Sequence, residues 1–515
     1  MNQLTLYDKD MGELLSKIDE YKRKKITDAE VYDNFKYIDP NSHISNIGSH
    51  NNNIVFGRRG SGKTSLVIAA INRIRTETED VYIKYDFQNF RNKRYEKVIL
   101  EITNKAIKKI IDETSIFNKL VFENHNLRKS IKKISQDIQK SLLHIQHEKS
   151  SISSTFDENN KNVTDLQIGG SAEVKYEDSI ASGNLKGSAE KTASKTTNIE
   201  EKTILKSTDD FLHVQNLETI QSQMFNIINI FSKIYNKKII LFFDDFYQIK
   251  KNIHPYILEY FHTISKECIN NSFCFKVCAL PDSIKYNFDG ENTFSLKDDY
   301  TSINVDHNLD RLTNQTDYLL DILSNLCENL NIKSQDIRNL FVSENLTHCI
   351  LGAGGLPRDF MILFSDSVKK AKKNNNKKIT AEDVYSAILD LALDKEEKSK
   401  LDSEIDTEKI KMAIATIQLE VVDGLKTNVI LYPYTKYEHD IKLLRELENL
   451  RYIHSIRDTI KDKNKNTFHP YLIDMSFCVT QRTKKSGLKF NKFWVHDDAR
   501  TLDNLRKAPV WNFTI

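Results

Sequence analysis

Residues 54–67 read Ile-Val-Phe-Gly-Arg-Arg-Gly-Ser-Gly-Lys-Thr-Ser-Leu-Val, and Gly57, Gly62, Lys63 and Thr64 satisfy G-x-x-x-x-G-K-[ST] completely. A short apolar run, Ile54 to Phe56, leads in, and a helical pattern from Ser65 to Ile71 leads out. A strand, a tight glycine loop and a helix in that order commit the chain to an α/β fold with a parallel sheet flanked by helices. Glycines let successive backbone N–H groups curl around a phosphate, and the emerging helix adds its partial positive charge. The loop Gly57, Arg58, Arg59, Gly60, Ser61, Gly62, Lys63, Thr64 and Ser65 is therefore expected to hold ATP. Lys63 would reach the β- and γ-phosphates, and the Thr64 hydroxyl would take one position on Mg²⁺. Glycine is otherwise scarce: the chain has 15, against about 36 at ordinary usage.

Such a loop calls for an acidic site at the end of a buried parallel strand. Lys237-Lys238 precede the apolar run Ile239 to Phe243, which is followed by Asp244-Asp245. Five consecutive apolar residues read as a strand covered on both faces. Asp244 is the expected Mg²⁺ carboxylate, through water, and Asp245 the residue expected to polarise the attacking water.

The chain has 515 residues, which suggests about three domains. No apolar run approaches the roughly 18 to 20 residues of a membrane span. The start, Met1 to Asp8, has neither a basic nor an apolar leader pattern, so a cytoplasmic protein with no membrane partner is expected. The 6 cysteines form no C-x-x-C pair, which favours reduced, buried thiols over zinc or disulfides. A net charge of +3 is too small to argue for nucleic acid by itself.

Another apolar strand, Phe273 to Leu280, ends in Pro281-Asp282-Ser283, and a further one, Ile303 to Val305, leads through Arg311 into helical periodicity from Tyr318 to Leu330. Then come Gly352-Ala353-Gly354-Gly355-Leu356-Pro357-Arg358 and Ile379-Thr380-Ala381-Glu382-Asp383-Val384. With these elements the sequence resembles the AAA+ ATPases of the origin-recognition and initiator group, and their relatives among the STAND ATPases. The resemblance covers roughly residues 30–120 and 215–395. It implies a P-loop sheet, an α-helical lid opened by G-x-P-R, and a winged helix after the lid. It also implies that Arg358 contacts the γ-phosphate as part of the catalytic set with Lys63 and Asp245. Asp245 stands where most AAA+ ATPases place glutamate; it is one methylene shorter, which suggests slow turnover suited to a switch. Ser283 is the nearest residue to the family's polar γ-phosphate sensor and matches poorly, and nothing local distinguishes Arg311 as an arginine finger.

Between these parts, Leu127, Ile131, Ile134, Ile138, Leu142 and Ile145 recur at helical spacing and form a narrow apolar seam. Residues 150–207 are polar, with an echo between Gly170-Ser171-Ala172-Glu173 and Gly187-Ser188-Ala189-Glu190. A surface loop without fixed structure and a projecting helix and hairpin that meets a partner both remain open.

From Asn428 the outline becomes helix, strand, basic turn, strand, as in a winged helix. The helix Tyr437 to Leu450 would bury Ile441, Leu444, Leu447 and Leu450. Residues 421–515 hold 17 Lys+Arg against 11 Asp+Glu, including Lys461, Lys463 and Lys465 at the expected wing tip and Arg482, Lys484, Lys485, Lys489 and Lys492 after it. Phosphate tracking on DNA and protein contact are both open. His454 reads as a structural histidine, and Trp494 and Trp511 as packing anchors.

These readings divide the chain into a P-loop core (1–120 and 216–310), a polar insertion (121–215), a helical lid (311–420) and a winged-helix-like module (421–515). The expected function is an ATP- and Mg²⁺-dependent switch ATPase in a homo- or hetero-oligomer. The resemblance suggests a bacterial regulatory or antiphage-defence role with DNA or an effector protein. A DNA-binding replication initiator or loader, and a nucleotide-holding scaffold that does not hydrolyse, are the alternatives.

Overall fold

The computed structural model describes residues 4–23, 37–116, 125–145, 215–288, 296–326, 330, 332–399, 407–434, 438–479, 487–495 and 499–512. Five parallel strands form the central sheet: β1 (Asn53–Phe56), β2 (Val81–Asp86), β3 (Ile239–Asp244), β4 (Phe273–Ala279) and β5 (Thr301–Asn304), in the order β2-β3-β4-β1-β5. The chain leaves β1 for the far edge and returns strand by strand, so the loops after β1, β3, β4 and β5 gather at one end of the sheet. All six residues of β3 are buried, as the unbroken apolar run anticipated.

Successive side chains take opposite faces of the sheet. Ile54, Leu241, Phe243, Phe275 and Val277 face one cluster, with apolar residues of Tyr95–Ile116, His254–Glu267 and the helices at 125–145 and 215–235. Val55, Ile240, Phe242 and Cys278 face the other, against Leu66, Val67, Ala70, Ile71 and Ile74 of the helix Lys63–Glu77. Phe243 and Phe275 pack with ring centroids 5.6 Å apart. The seam residues Leu127, Ile131, Ile134, Ile138 and Ile145 are buried in the first cluster beside Ile220, Met224 and Phe231. That helix therefore packs on the sheet domain along its apolar stripe; the polar segment at 150–207 lies outside the described residues. Cys268, Cys274, Cys278, Cys349 and Cys478 are buried free thiols.

The helices Leu312–Asn325, Asn345–Gly352, Pro357–Lys373 and Ala381–Ser399 follow. The last is capped by Asp383, whose Oδ2 accepts from Thr380 N at 3.0 Å and Thr380 Oγ1 at 2.8 Å. An antiparallel sheet then joins β6 (Val429–Pro433), β7 (Ile453–Ser455), β8 (Ile460–Lys461) and β9 (Thr467–Ile473), with β9 pairing the other three. This arrangement is compatible with a winged helix. These helices and this sheet share one apolar cluster, in which Phe360, Leu363 and Leu391 pack with Val429, Ile456, Phe468 and Leu472. Leu6, Met11, Leu14 and Ile18, around the helix Lys9–Arg23, join the same cluster.

One expectation in the module fails. Ile441 is 41% exposed; in the helix Glu438–Asn449, Leu444 and Leu447 are buried as expected, and Leu443 is buried in the place of Ile441. Those three meet Ile430, Ile453 and Tyr471 across the sheet, which turns the buried stripe away from Ile441. Trp511 is buried and donates from Nε1 to Glu420 Oε2 at 2.8 Å.

Candidate active site

The loop between β1 and the helix Lys63–Glu77 owes its shape to its glycines. A Cβ on Gly57 would lie 2.4 Å from Ser61 Oγ and 2.5 Å from Val305 Cγ2. Gly60 and Gly62 sit at φ +85° and +98°, where a side chain is costly. Lys63, 6% exposed, folds back so that Nζ donates to Gly57 O at 2.6 Å and Arg58 O at 3.0 Å. Burial pulls its pKa down, and Asp306, Asp245 and Asp244 oppose that shift. Ser61 Oγ is buried with no hydrogen-bond partner among the described residues. A loop with one buried ammonium, an unpartnered hydroxyl and glycine at its tightest turns suits a polyanion carrying acceptor oxygens.

The two acids stand where β3 ends. Thr64 Oγ1 donates to Asp244 Oδ1 at 3.2 Å, and Lys84 Nζ lies 3.0 Å from Asp244 Oδ2. The register places Asp86 of β2 directly opposite Asp244. Asp245 adopts the left-handed conformation, φ 54° and ψ 39°, which turns the chain sharply out of the strand. Burial raises its pKa, and the neighbouring charges of Asp244 and Asp86 add to that, while Lys63 and a hydrogen bond from Tyr247 oppose it. Tyr247 in turn lies under the guanidinium of Arg59, 5.4 Å from its ring centroid.

The helix Pro357–Lys373 meets the loop through backbone. Pro357 and Arg358 open the helix Pro357–Lys373, and Arg358 N donates to Gly60 O at 3.3 Å. A Cβ on Gly60 would lie 3.0 Å from Arg358 Cβ, so the missing side chain lets this helix approach; the Arg358 side chain itself is exposed.

Arg58 behaves differently from its neighbours. It is 3% exposed, and its backbone N–H donates to Asp306 Oδ1 and Oδ2 at 3.2 and 3.0 Å. Its guanidinium is shared among Asp306 Oδ2 at 3.4 Å, His454 Nδ1 at 3.2 Å and Gly354 O at 3.3 Å. Arg58 thus spends its donors on protein groups. Ser283 also turns inward, its hydroxyl donating to Leu280 O at 2.8 Å. Arg311 is exposed at the start of Leu312–Asn325.

Sequence reasoning passed over Lys84, Tyr247 and Asp306. Asp306 carried a usable signal, an acid directly after the apolar strand end Ile303 to Val305, the same pattern that marks Asp244. Lys84 alternates with Ile83 and Tyr85 on β2, and nothing local tells a site lysine from a surface one. Aromatic groups border the loop as well: Tyr37 lies 4.0 Å from the Cβ position of Gly62, and Tyr318 packs on His307 with centroids 4.5 Å apart.

In the C-terminal sheet, Lys463 and Lys465 are exposed in the turn between β8 and β9, which Asp462 pins by accepting from Asn464 N and Asn466 N, both at 2.8 Å. Lys461 lies in β8. Lys489 and Lys492 are exposed, and Lys492 pairs with Glu344 at 2.9 Å. Arg482, Lys484 and Lys485 lie outside the described residues. No described helix is long and apolar enough to cross a membrane.

No family model matches the chain, and no curated protein matches it. Among solved structures, it is similar to the ORC1 protein of Aeropyrum pernix in complex with DNA, at 10% identity and a TM-score of 0.35, over 88% of this chain and 93% of that one. It is similar to a Walker-type ATPase of Pyrococcus abyssi at 12% identity and a TM-score of 0.38, over 89% and 96%. It is also similar to Drosophila ORC bound to DNA at 8% identity and a TM-score of 0.36, over 94% of each. The parallel five-stranded sheet, the loop after β1 and the acid pair at the end of β3 give this chain the P-loop NTPase fold.

Proposed function

We propose that the protein is an ATP- and Mg²⁺-dependent switch ATPase of the AAA+ type. The observation that carries this reading is the meeting of Thr64 Oγ1 and Asp244 Oδ1 at 3.2 Å beside the buried Lys63 ammonium. Main-chain amides of residues 59–65 and Lys63 would hold the phosphates, and Thr64 and Asp244 would hold Mg²⁺, which supplies charge neutralisation on the phosphate oxygens. Asp245 would orient the attacking water and accept its proton. Arg358, whose backbone N–H donates to Gly60 O, would contact a terminal phosphate with its exposed side chain. Tyr37, beside Gly62, offers an aromatic surface to a base.

The short reach of Asp245 favours a slow switch over a motor. That behaviour suits a regulatory or antiphage-defence role with an effector protein or DNA, in an oligomer. The test is phosphate release by the full chain with Mg-ATP, compared with Asp245→Asn. A measurable wild-type rate that falls about 10²-fold in the variant supports hydrolysis. Equal rates in both point to a scaffold that only holds nucleotide.

A second reading, a DNA-binding initiator or loader, draws on the exposed Lys463 and Lys465 at the β8–β9 turn. If these lysines track phosphates, replacing both with alanine lowers the salt slope of DNA binding by roughly 2. No mobility shift at low salt removes this reading and leaves protein contact for the module.

A further inference from the structure

His454 reaches Arg58 of the loop after β1 from the C-terminal sheet, 396 residues away in sequence. It is fully buried, and its Nδ1 lies 3.2 Å from Arg58 Nη1 while its Nε2 lies 3.2 Å from Asp474 Oδ2. A guanidinium can only donate, so Nδ1 must be the bare, accepting nitrogen and Nε2–H must donate to Asp474. The neutral imidazole is therefore fixed in one tautomer. Its ring occupies space that only glycine leaves: a Cβ on Gly354 would lie 2.1 Å from His454 Nδ1.

The contact does not stop there. Asp474 Oδ2 meets Lys395 Nζ at 2.8 Å, Lys395 lies 3.9 Å from Asp359, and Asp359 takes Arg451 Nη1 at 2.7 and 2.8 Å. Lys395, Asp359 and Asp474 are each at most 5% exposed. Bridged at the loop end by the neutral His454 ring, opposite charges thus alternate from Arg58 through Asp474, Lys395 and Asp359 of the helix that Arg358 opens. Buried runs of this kind add little net stability but enforce one register, because any shift leaves a charge unpaired. At the loop end, the same Arg58 whose guanidinium rests on His454 presents its carbonyl to Lys63 Nζ and to Ser61 N at 3.2 Å.

We propose that His454 is a positioning residue for nucleotide binding, acting through Arg58 to hold the phosphate loop and tying the seat of the C-terminal module to what the loop grips. This rests on the reading of the loop as a nucleotide site. Coupling of this kind is reciprocal: whatever strengthens the seat of β7 raises nucleotide affinity, and nucleotide tightens β7.

Two substitutions separate this role from a structural one. His454→Asn keeps an acceptor near the position of Nδ1 and gives up the bond to Asp474. His454→Gln places its amide near Nε2, opposite Asp474, and removes the acceptor for Arg58. Titration of the full chain with Mg-ADP is expected to give wild-type affinity within about 3-fold for the asparagine variant and a loss of about tenfold or more for the glutamine variant, the cost of stranding a buried charged donor. Hydrogen exchange of the wild-type chain is expected to slow at 452–456 on Mg-ADP addition. Equal affinity for both folded variants and the wild type, or unchanged exchange at 452–456 when Mg-ADP is bound, overturns the proposal. If either variant fails to fold, the exchange measurement decides alone. Absence of Mg-ADP binding by the wild type instead overturns the underlying nucleotide reading.

Discussion

Thr64 and Asp244, 180 residues apart in the chain, meet at 3.2 Å through Oγ1 and Oδ1. The first opens the helix after β1 and the second ends β3, with β4 between those strands in the sheet. The parallel sheet brings a hydroxyl and a carboxylate together at its carboxyl edge, where ligands of open α/β sheets bind.

Asp244→Asn should remove Mg²⁺-dependent phosphate release while leaving the fold intact. Lys84 would lose its charged partner at 3.0 Å, so a modest loss of stability, about 1 kcal/mol, is expected. Phosphate release in Mg²⁺ and in EDTA checks this, and a variant that keeps its Mg²⁺ stimulation contradicts it.

Histidines held down by burial set the acid response of stability: His43, His262, His307 and His348 act in one sense with His454 and His254, whose shifts are largest. His454 and His254 are both held down to about 4 from 6.5, chiefly by burial. Between those values the unfolded chain binds protons that the folded chain does not, so stability rises with pH from about 4 to about 6.5. Asp245 and Asp310, whose pKa values are raised by burial, act in the opposite sense. Urea midpoints are expected to be lower at pH 5 than at pH 7, with a smaller difference in a His254→Gln/His454→Asn double variant. A midpoint that rises on acidification is inconsistent with neutral buried imidazoles.

The sequence made the loop, the acid pair and the strands legible because each has a local cause. Gly57, Gly60 and Gly62 are required by backbone geometry, and the apolar run Ile239 to Phe243 is required by burial on both faces. The partners of Arg58 were not legible, since Asp306, Gly354 and His454 come from three distant segments. His454 was read as structural because a strand histidine carries no mark of what it faces. The helix Glu438–Asn449 shows the limit of periodicity: Ile441 and Leu443 both fit an apolar stripe, and only the sheet beneath decides which is buried.

Gly354→Ala tests the seat of His454 from the other side. Gly354 has φ +58°, and an added methyl would lie 2.1 Å from the imidazole. Backbone strain and overpacking together should cost about 2–4 kcal/mol. Thermal unfolding checks the stability, and Mg-ADP affinity of the folded fraction should fall as well. Unchanged stability and affinity would show that the ring has room to move.

Lys276 should prove to be a structural ammonium. It is fully buried in β4 and donates to Ser49 O and Asn53 Oδ1 at 2.6 Å, and to Asn51 O. Lys276→Met would leave these acceptors unpaired and lower stability by about 2–4 kcal/mol, with Mg-ADP affinity of the folded protein unchanged. Chemical denaturation and nucleotide titration of one preparation measure both.

The most direct measurement is nucleotide affinity in Lys63→Ala, using a fluorescent ATP analogue with Mg²⁺ and the full chain, alongside a check that the variant is folded. The account predicts at least a tenfold loss, since the variant removes the buried ammonium nearest the loop. Undiminished affinity in a folded Lys63→Ala protein would contradict it.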